Sequence, residues 1–332
     1  LLNVLGIETS CDETGASVVR GAGDVVSNVV ASSLAQHAPY GGIIPEIASR
    51  AQMEFICAVV REAMAKARLR AGEMDAIAVT QGPGLIGSLL VGLSFARALS
   101  LAWRVPLIGI NHLQAHLYAA FIGSEISFPF TGLVVSGGHT SLYEVAGIGC
   151  ERLVGSTRDD AAGEAFDKVA KILGLGYPGG PAIEAAARKG SSEAFRFRCD
   201  CGPGLDFSFS GIKTAVLYKA QDLKKLYGRL SRETVADLAA SFQSAAVEDL
   251  VGKACRLAQK SHSRLLAVGG GVAFNTALRS RLQEETRRRG IELRLAPKAY
   301  CLDNAAMVAS LGVRLLEAGK SSKQIKLDAL LG

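Results

Sequence analysis

The chain has little that would staple it, carry it across a bilayer or stack it on nucleic-acid bases. Its cysteines, at positions 11, 57, 150, 199, 201, 255 and 301, are odd in number and include no C-x-x-C pair. A disulfide framework and a four-cysteine zinc site are both disfavoured, and a reduced, cytoplasmic protein is expected. Aromatic residues are only 6% of the chain, so no stripe of rings able to stack several bases is visible. By inspection no apolar run reaches the roughly eighteen residues that span a membrane, and no membrane association is expected. The opening LLNVLGIETS has no basic n-region, which argues against a secretory signal. Neither G-x-x-x-x-G-K-[ST] nor a G-x-G-x-x-G after the first apolar segment occurs, which argues against P-loop and Rossmann phosphate sites.

What is present is apolar and rich in glycine, with 49% hydrophobic residues and 37 glycines among 332. Length and apolar share suit two α/β domains with substantial cores. The formal net charge of +6 tilts the chain towards polyanionic partners such as nucleic acid, a bias that many enzymes share. One pattern occurs twice. Apolar segments at 4–7 and 16–20 flank the polar turn ETSCDETG (8–15), and LVVSGGHTSLYEV (133–145) repeats strand, polar turn and strand. Each reads as a hairpin whose turn faces a ligand. Amphipathic helices follow, over 45–69 in the first half and over 160–173 and 232–259 in the second. Each half then has an apolar strand entering a glycine loop and a helix, beginning at 76 and at 265. The repeat predicts two duplicated α/β domains facing a cleft. Their expected extents are 1–120 with 303–332, and 121–302, with a crossing at 121–131. A final helix over 304–317 is expected to return to the first domain. The alternative is one doubly wound sheet with long insertions.

His112 and His116, in NHLQAH, lie four residues apart and on a helix would share one face, about one turn apart. Neutral imidazole is a good donor to zinc or iron. Leu113 stands where the H-E-x-x-H proteases carry their glutamate, which disfavours that chemistry. Two histidines cannot hold an ion alone. Asp303, in YCLDNAAM, either caps the final helix or adds one oxygen to the two nitrogens, leaving coordination positions for substrate. Cys301 is a soft alternative ligand or a buried structural thiol. The bland reading of the pair is two histidines packed in a core.

Glycine loops supply candidate anion sites. In SGGHT (136–140) adjacent glycines expose backbone N–H groups, and Ser136 and Thr140 add hydroxyls. The glycines at 269–271 have the same character, and Asn275 beyond them can meet a ribose or adenine edge, or cap a helix. In DDAAGEAFDK (159–168), Asp160, Glu164 and Asp167 are expected on one helix face, with Asp167 able to reach a ribose hydroxyl or substrate amine. YPGGP (177–181) adds a rigid turn where backbone can approach the same ligand.

Taken in order, GIETSCDETG (6–15), GGIIPEIASR (41–50), QGPGLIGSLLVG (81–92), NHLQAH (111–116), SGGHT (136–140), DDAAGEAFDK (159–168), YPGGP (177–181), FSFSGIK (207–213) and GGGVAFN (269–275) closely resemble the threonylcarbamoyladenosine tRNA synthase family, called TsaD in bacteria. The resemblance spans almost the whole chain. It implies the actin, Hsp70 and sugar-kinase type of α/β fold with two duplicated domains. It implies transfer of a threonylcarbamoyl group from threonylcarbamoyl-AMP to N6 of adenosine 37 in tRNAs reading codons that begin with A. Carried over by residue, it places one metal ion, iron before zinc, on His112, His116 and Asp303. It places substrate contacts on Val134, Val135, Ser136, Gly137, Gly138, Asp167, Gly180 and Asn275, and makes Asp12 and Glu13 catalytic candidates. The implied partners are the tRNA anticodon loop and the proteins TsaB and TsaE, the latter an ATPase.

Adenine N6 is a weak nucleophile because its lone pair is delocalised into the ring, so an activated donor is required. Asp12 is the expected proton acceptor as the new bond forms. Arg279, Arg281 and Arg287–Arg289 either contact tRNA phosphates or form a solvated helix face. Two rivals share the fold type: a sugar or acetate kinase, for which the histidine pair has no use, and a non-enzymatic nucleotide-binding scaffold, which needs no metal trio.

Overall fold

The computed structural model describes residues 1–320, and 321–332, part of the expected first domain, lie outside the described residues. The chain divides into two compact units, Leu1–Ile126 with the described residues from Ala296 onward, and Ser127–Leu295. In the first, β1 (Asn3–Glu8) is apolar between its polar end residues and pairs antiparallel with β2 (Glu13–Arg20). β3 (Asp24–Ser32) adds an antiparallel edge to β2. After the short α1 (Leu34–His37) comes α2 (Pro45–Ala67), which starts on a proline and stops where Arg68 turns left-handed. Its residues Ile56, Val59, Val60, Ala63 and Ala67 repeat at three- and four-residue steps and join the core with Leu5, Ile7 and Val18.

β4 (Ala76–Gly82) and β5 (Leu107–Asn111) lie parallel to one another, and β4 parallel to β1, giving the order β3-β2-β1-β4-β5. Parallel neighbours need a crossover, and α3 (Ile86–Trp103) supplies it. Contrary to expectation, this 18-residue helix is long and apolar enough to cross a membrane, with a mean hydropathy of 1.5. Its Ser88, Leu89, Gly92, Leu93 and Ala96 are buried in the unit, as suits a crossover helix. β5 runs straight into α4 (His112–Tyr118).

The second unit repeats that plan. β6 (Phe130–Val135), β7 (Thr140–Val145) and β8 (Glu151–Ser156) form an antiparallel meander. Helices α5 (Ala162–Leu173), α6 (Gly179–Ala187), α7 (Ser210–Tyr227) and α8 (Arg232–Lys260) follow. Then β9 (Leu265–Gly269), α9 (Thr276–Arg288) and β10 (Glu292–Leu295) complete a sheet of order β10-β9-β6-β7-β8. Each sheet thus pairs an antiparallel meander with two parallel strands, in the same order of connection. The chain finally returns to the first unit, where α10 (Ala305–Glu317) packs on β1, β2, β4 and α4. Gly6 permits that contact, since a Cβ there would lie 2.4 Å from the Ala305 carbonyl oxygen.

Candidate metal centre and substrate loops

The histidine pair is set by the junction of β5 and α4. Asn111 ends the strand and caps the helix, its Oδ1 accepting from Leu113 and Gln114 N–H. His112 and His116 then occupy the first and last turns, with ring centroids 4.6 Å apart. Both are buried, at 5% and 0% relative exposure. Asp303 does not cap α10, because Asn304 takes that place and accepts from Met307 N–H. Its carboxylate instead lies 3.0 Å from His116 Nε2 and 3.6 Å from His112 Nε2. Cys301 is a buried thiol whose Sγ approaches the Ala296 carbonyl at 3.3 Å.

These residues fit a metal ion. Ligand atoms of His112, His116 and Asp303 all lie within 4.8 Å of one another. Bonds of about 2.0–2.2 Å to nitrogen and oxygen put neighbouring ligands of one ion roughly 3.0–3.5 Å apart, close to the two separations to Asp303. The far side of His112 is also prepared. Glu8, fully buried at the end of β1, lies 3.3 Å from His112 Nδ1 and accepts from Ser10 N–H at 2.6 Å and from the Thr80 hydroxyl at 2.5 Å. Such an outer carboxylate fixes the tautomer and leaves Nε2 free for a metal. His116 has no comparable support, since its Nδ1 is buried without a partner. Sequence reasoning missed Glu8 and Thr80. The available signal was a carboxylate ending a strand with an apolar interior.

Burial alone would lower the His112 pKa, but the Asp303 and Glu8 carboxylates overcome it and raise it to about 9. Burial likewise works against ionised Glu8, yet His112 holds it below its ordinary value. Asp12 sits in the turn between β1 and β2, and Glu13 opens β2. Glu13 is pushed up to about 10 by burial, by the charges of Asp303 and Asp12, and by a hydrogen bond with Asp12. At neutral pH a protonated Glu13 therefore donates to Asp12. Burial, with the same acidic neighbours, raises the Cys11 thiol far above its usual range.

In the second unit Val134 and Val135 are buried at the end of β6, and Gly137 and Gly138 are exposed at the hairpin tip. The tip rests on the start of α5, whose Gly163 and Glu164 N–H groups donate to the Ser136 and Gly137 carbonyls at 3.2 and 3.0 Å. Asp160 lies before α5 rather than on it. It is held by Lys168 and Lys213, each at 2.6 Å, so the expected acidic helix face is reduced to Glu164 and Asp167. Asp167 accepts from Gly179 N–H at 2.7 Å and also from Gly180, which brings two expected substrate residues into contact. Asn275 caps α9 through Leu278 N–H, and its Nδ2 donates to Gln243 at 2.9 Å. Glu184 of α6 accepts from Thr276 N–H, linking these loops. Gln243 and Glu184 had no sequence signal of their own.

A family model described as TsaD: tRNA N6-adenosine threonylcarbamoyltransferase matches residues 24–310. The tRNA N6-adenosine threonylcarbamoyltransferase of Syntrophotalea carbinolica is 48% identical over 321 residues, covering 96% of this chain and 93% of that protein. Its counterpart from Symbiobacterium thermophilum is 51% identical over 318 residues, with 95% and 92% covered. Among solved structures, full-length HypF aligns with 97% of this chain and 56% of its own length, at TM-score 0.64 and 13% identity. The (R)-2-hydroxyglutaryl-CoA dehydratase component A of Acidaminococcus fermentans aligns over 95% and 97%, at TM-score 0.54 and 14% identity. At such low identity these structures show the fold alone, which is the duplicated α/β architecture of the actin, Hsp70 and sugar-kinase type.

Proposed function

The chain belongs to the tRNA N6-adenosine threonylcarbamoyltransferase family, and on that premise we propose that it transfers threonylcarbamoyl from threonylcarbamoyl-AMP to N6 of adenosine 37 in tRNAs reading ANN codons. The observation that carries the chemical reading is the His112–His116–Asp303 trio with Glu8 behind it. When bound there, an ion, iron in this proposal, supplies Lewis acidity to a donor carbonyl and to the leaving phosphate. The chain's own groups do the rest. Glu8 keeps His112 Nε2 turned towards Asp303 and His116. Asp12, hydrogen-bonded to protonated Glu13, takes the proton from N6 as the new bond forms. The exposed backbone of Gly137 and Gly138 steadies the phosphoryl group, and the buried Val134, Val135 and Ser136 hold that hairpin tip in place. Asp167 fixes Gly180 for close approach, and Asn275 fixes the start of α9.

In this proposal the protein works in the cytoplasm with TsaB and TsaE on the tRNA anticodon loop. Unmodified tRNA incubated with the donor adenylate, with and without those partners, tests the reading by mass spectrometry of its nucleosides. The expected product is an adenosine carrying threonylcarbamoyl on N6, with iron found by elemental analysis and lost in His112→Ala and Asp303→Ala. Absence of that nucleoside in the complete mixture overturns the reaction. Parental metal content in either folded variant removes that residue from the site.

A further inference from the structure

The turn carrying Asp12 and Glu13 is held by its backbone, and the holding side chains have no assigned role. Gln52, fully buried on α2, points its Nε2 at three alternate carbonyl oxygens of that turn: Thr9 at 3.3 Å, Cys11 at 2.8 Å and Glu13 at 3.2 Å. Only an amide N–H2 can face three carbonyls, so the orientation of the group follows from its partners. Its Oε1 is buried with no partner at all. A residue serving only to fill space would avoid that orphaned acceptor.

The intervening carbonyls are gripped from elsewhere. Ser10 accepts from Leu85 N–H at 2.8 Å. Asp12 accepts from Ser33, through N–H at 3.1 Å and through the hydroxyl at 2.9 Å. His37 stands behind that serine, its Nε2 3.0 Å from Ser33 Oγ, while its Nδ1 accepts from Ile44 N–H at 3.2 Å. Because Nδ1 accepts and Ser33 Oγ donates to Asp12, the imidazole proton sits on Nε2. The bonds then run in one direction, from Ile44 through His37 and Ser33 to Asp12.

We propose that Gln52, with Ser33 and His37 on the opposite side, is a positioning residue that sets the direction of the Asp12 and Glu13 carboxyls beside Asp303. The proposal rests on the catalytic reading of the acidic turn given above. Its force is geometric, since displacement of about 1 Å at a reacting group can cost roughly a hundredfold in rate.

The test compares Asp12→Asn, Gln52→Met, Gln52→Glu and Ser33→Ala in the complete tRNA reaction, measuring kcat, KM for tRNA and metal content. Gln52→Met keeps the volume and removes the N–H2 group. Its kcat is expected to fall about tenfold to a hundredfold, with KM within about twofold of the parent and metal content unchanged. Gln52→Glu, which turns a carboxylate on three carbonyl oxygens, is expected to fall further. A general loss of structure would move KM and metal content as well. Folded Gln52→Met with the parent's kcat, or with a raised KM and unchanged kcat, overturns the proposal, provided Asp12→Asn is inactive. If Asp12→Asn keeps parental activity, the acidic turn is not catalytic and both readings fall. Should neither Gln52 variant fold, Ser33→Ala decides by the same split.

Discussion

Glu8 shows what one carboxylate does when three donors converge on it. Ser10 N–H, the Thr80 hydroxyl and His112 Nδ1 all lie within hydrogen-bonding reach of its oxygens. Glu8→Ala strands them, and the expected cost is about 1–3 kcal/mol of stability. Metal affinity should fall by roughly tenfold to a hundredfold through the loosened imidazole, which competition with a chelator would measure. Parental affinity would show that the outer carboxylate does not govern His112. Asp303 and Glu8 together set a pH dependence. In the metal-free protein His112 titrates at about 9 rather than 6.5. Its ion pairs therefore stabilise fully below the ordinary value, and that contribution is lost as pH rises through 9. A metal must displace the proton, so apparent affinity should climb with pH until about 9. Calorimetry at pH 7 in buffers of differing ionisation enthalpy should detect about one proton released per ion, and none would refute the assignment. The pairing of His112 with His116 was legible from their four-residue spacing, which carried no sign of Asp303. Glu8 was not, because its partners come from β4 and α4, far along the chain.

At the scale of elements, the meeting of the β6–β7 hairpin with α5 turns on two glycines of opposite kind. A Cβ on Gly163 would fall 2.7 Å from both Gly137 Cα and the Ser136 carbonyl oxygen, whereas a Cβ on Gly137 would meet nothing within 4 Å. Gly163→Ala should push the tip off α5 and cost about 1–3 kcal/mol. Gly137→Val should keep the parent's stability to within about 0.5 kcal/mol, yet weaken AMP binding by filling the space before the loop. Thermal melts beside calorimetry with AMP separate the two cases. Equal AMP affinity in Gly137→Val and parent would remove the tip from the donor site. Both hairpins and the helices α2, α5 and α8 were readable because their apolar periodicity is local, whereas the 18-residue α7 was not read. The third meander strands were not. β3 is partly exposed along its length, and β8 exposes Arg152 and Leu153, so neither shows an alternating pattern. The sequence left Asp303 open between capping α10 and joining the histidines, because Asp303 and Asn304 are both good capping types, and the fold gives the cap to Asn304.

At the scale of the whole molecule, a net charge of +6 does not say where an RNA backbone would lie. The arginine-rich end of α9 looks like such a place in sequence, yet much of its charge is already committed. Arg288 makes two hydrogen bonds to Glu285, at 2.9 and 2.7 Å, and Arg289 and Arg281 approach the same carboxylate at 3.5 and 3.4 Å. Arg281 also binds Glu248 at 2.6 Å. Glu285 is buried and held below the usual carboxylate range, first by the Arg288 bond. Replacing Arg288 and Arg289 by glutamine should therefore act on the fold, lowering stability by about 1 kcal/mol because Arg281 still serves Glu285. The depressed Glu285 value places that loss above the ordinary carboxylate range, and it should shrink as pH falls through the folded value. A phosphate contact behaves differently, since each one lost flattens the salt dependence of binding by a slope of about 0.9. Titration of labelled tRNA at several salt concentrations is expected to show the double variant within one such unit of the parent. A slope reduced by about two units, with unchanged stability, would instead assign both arginines to the RNA.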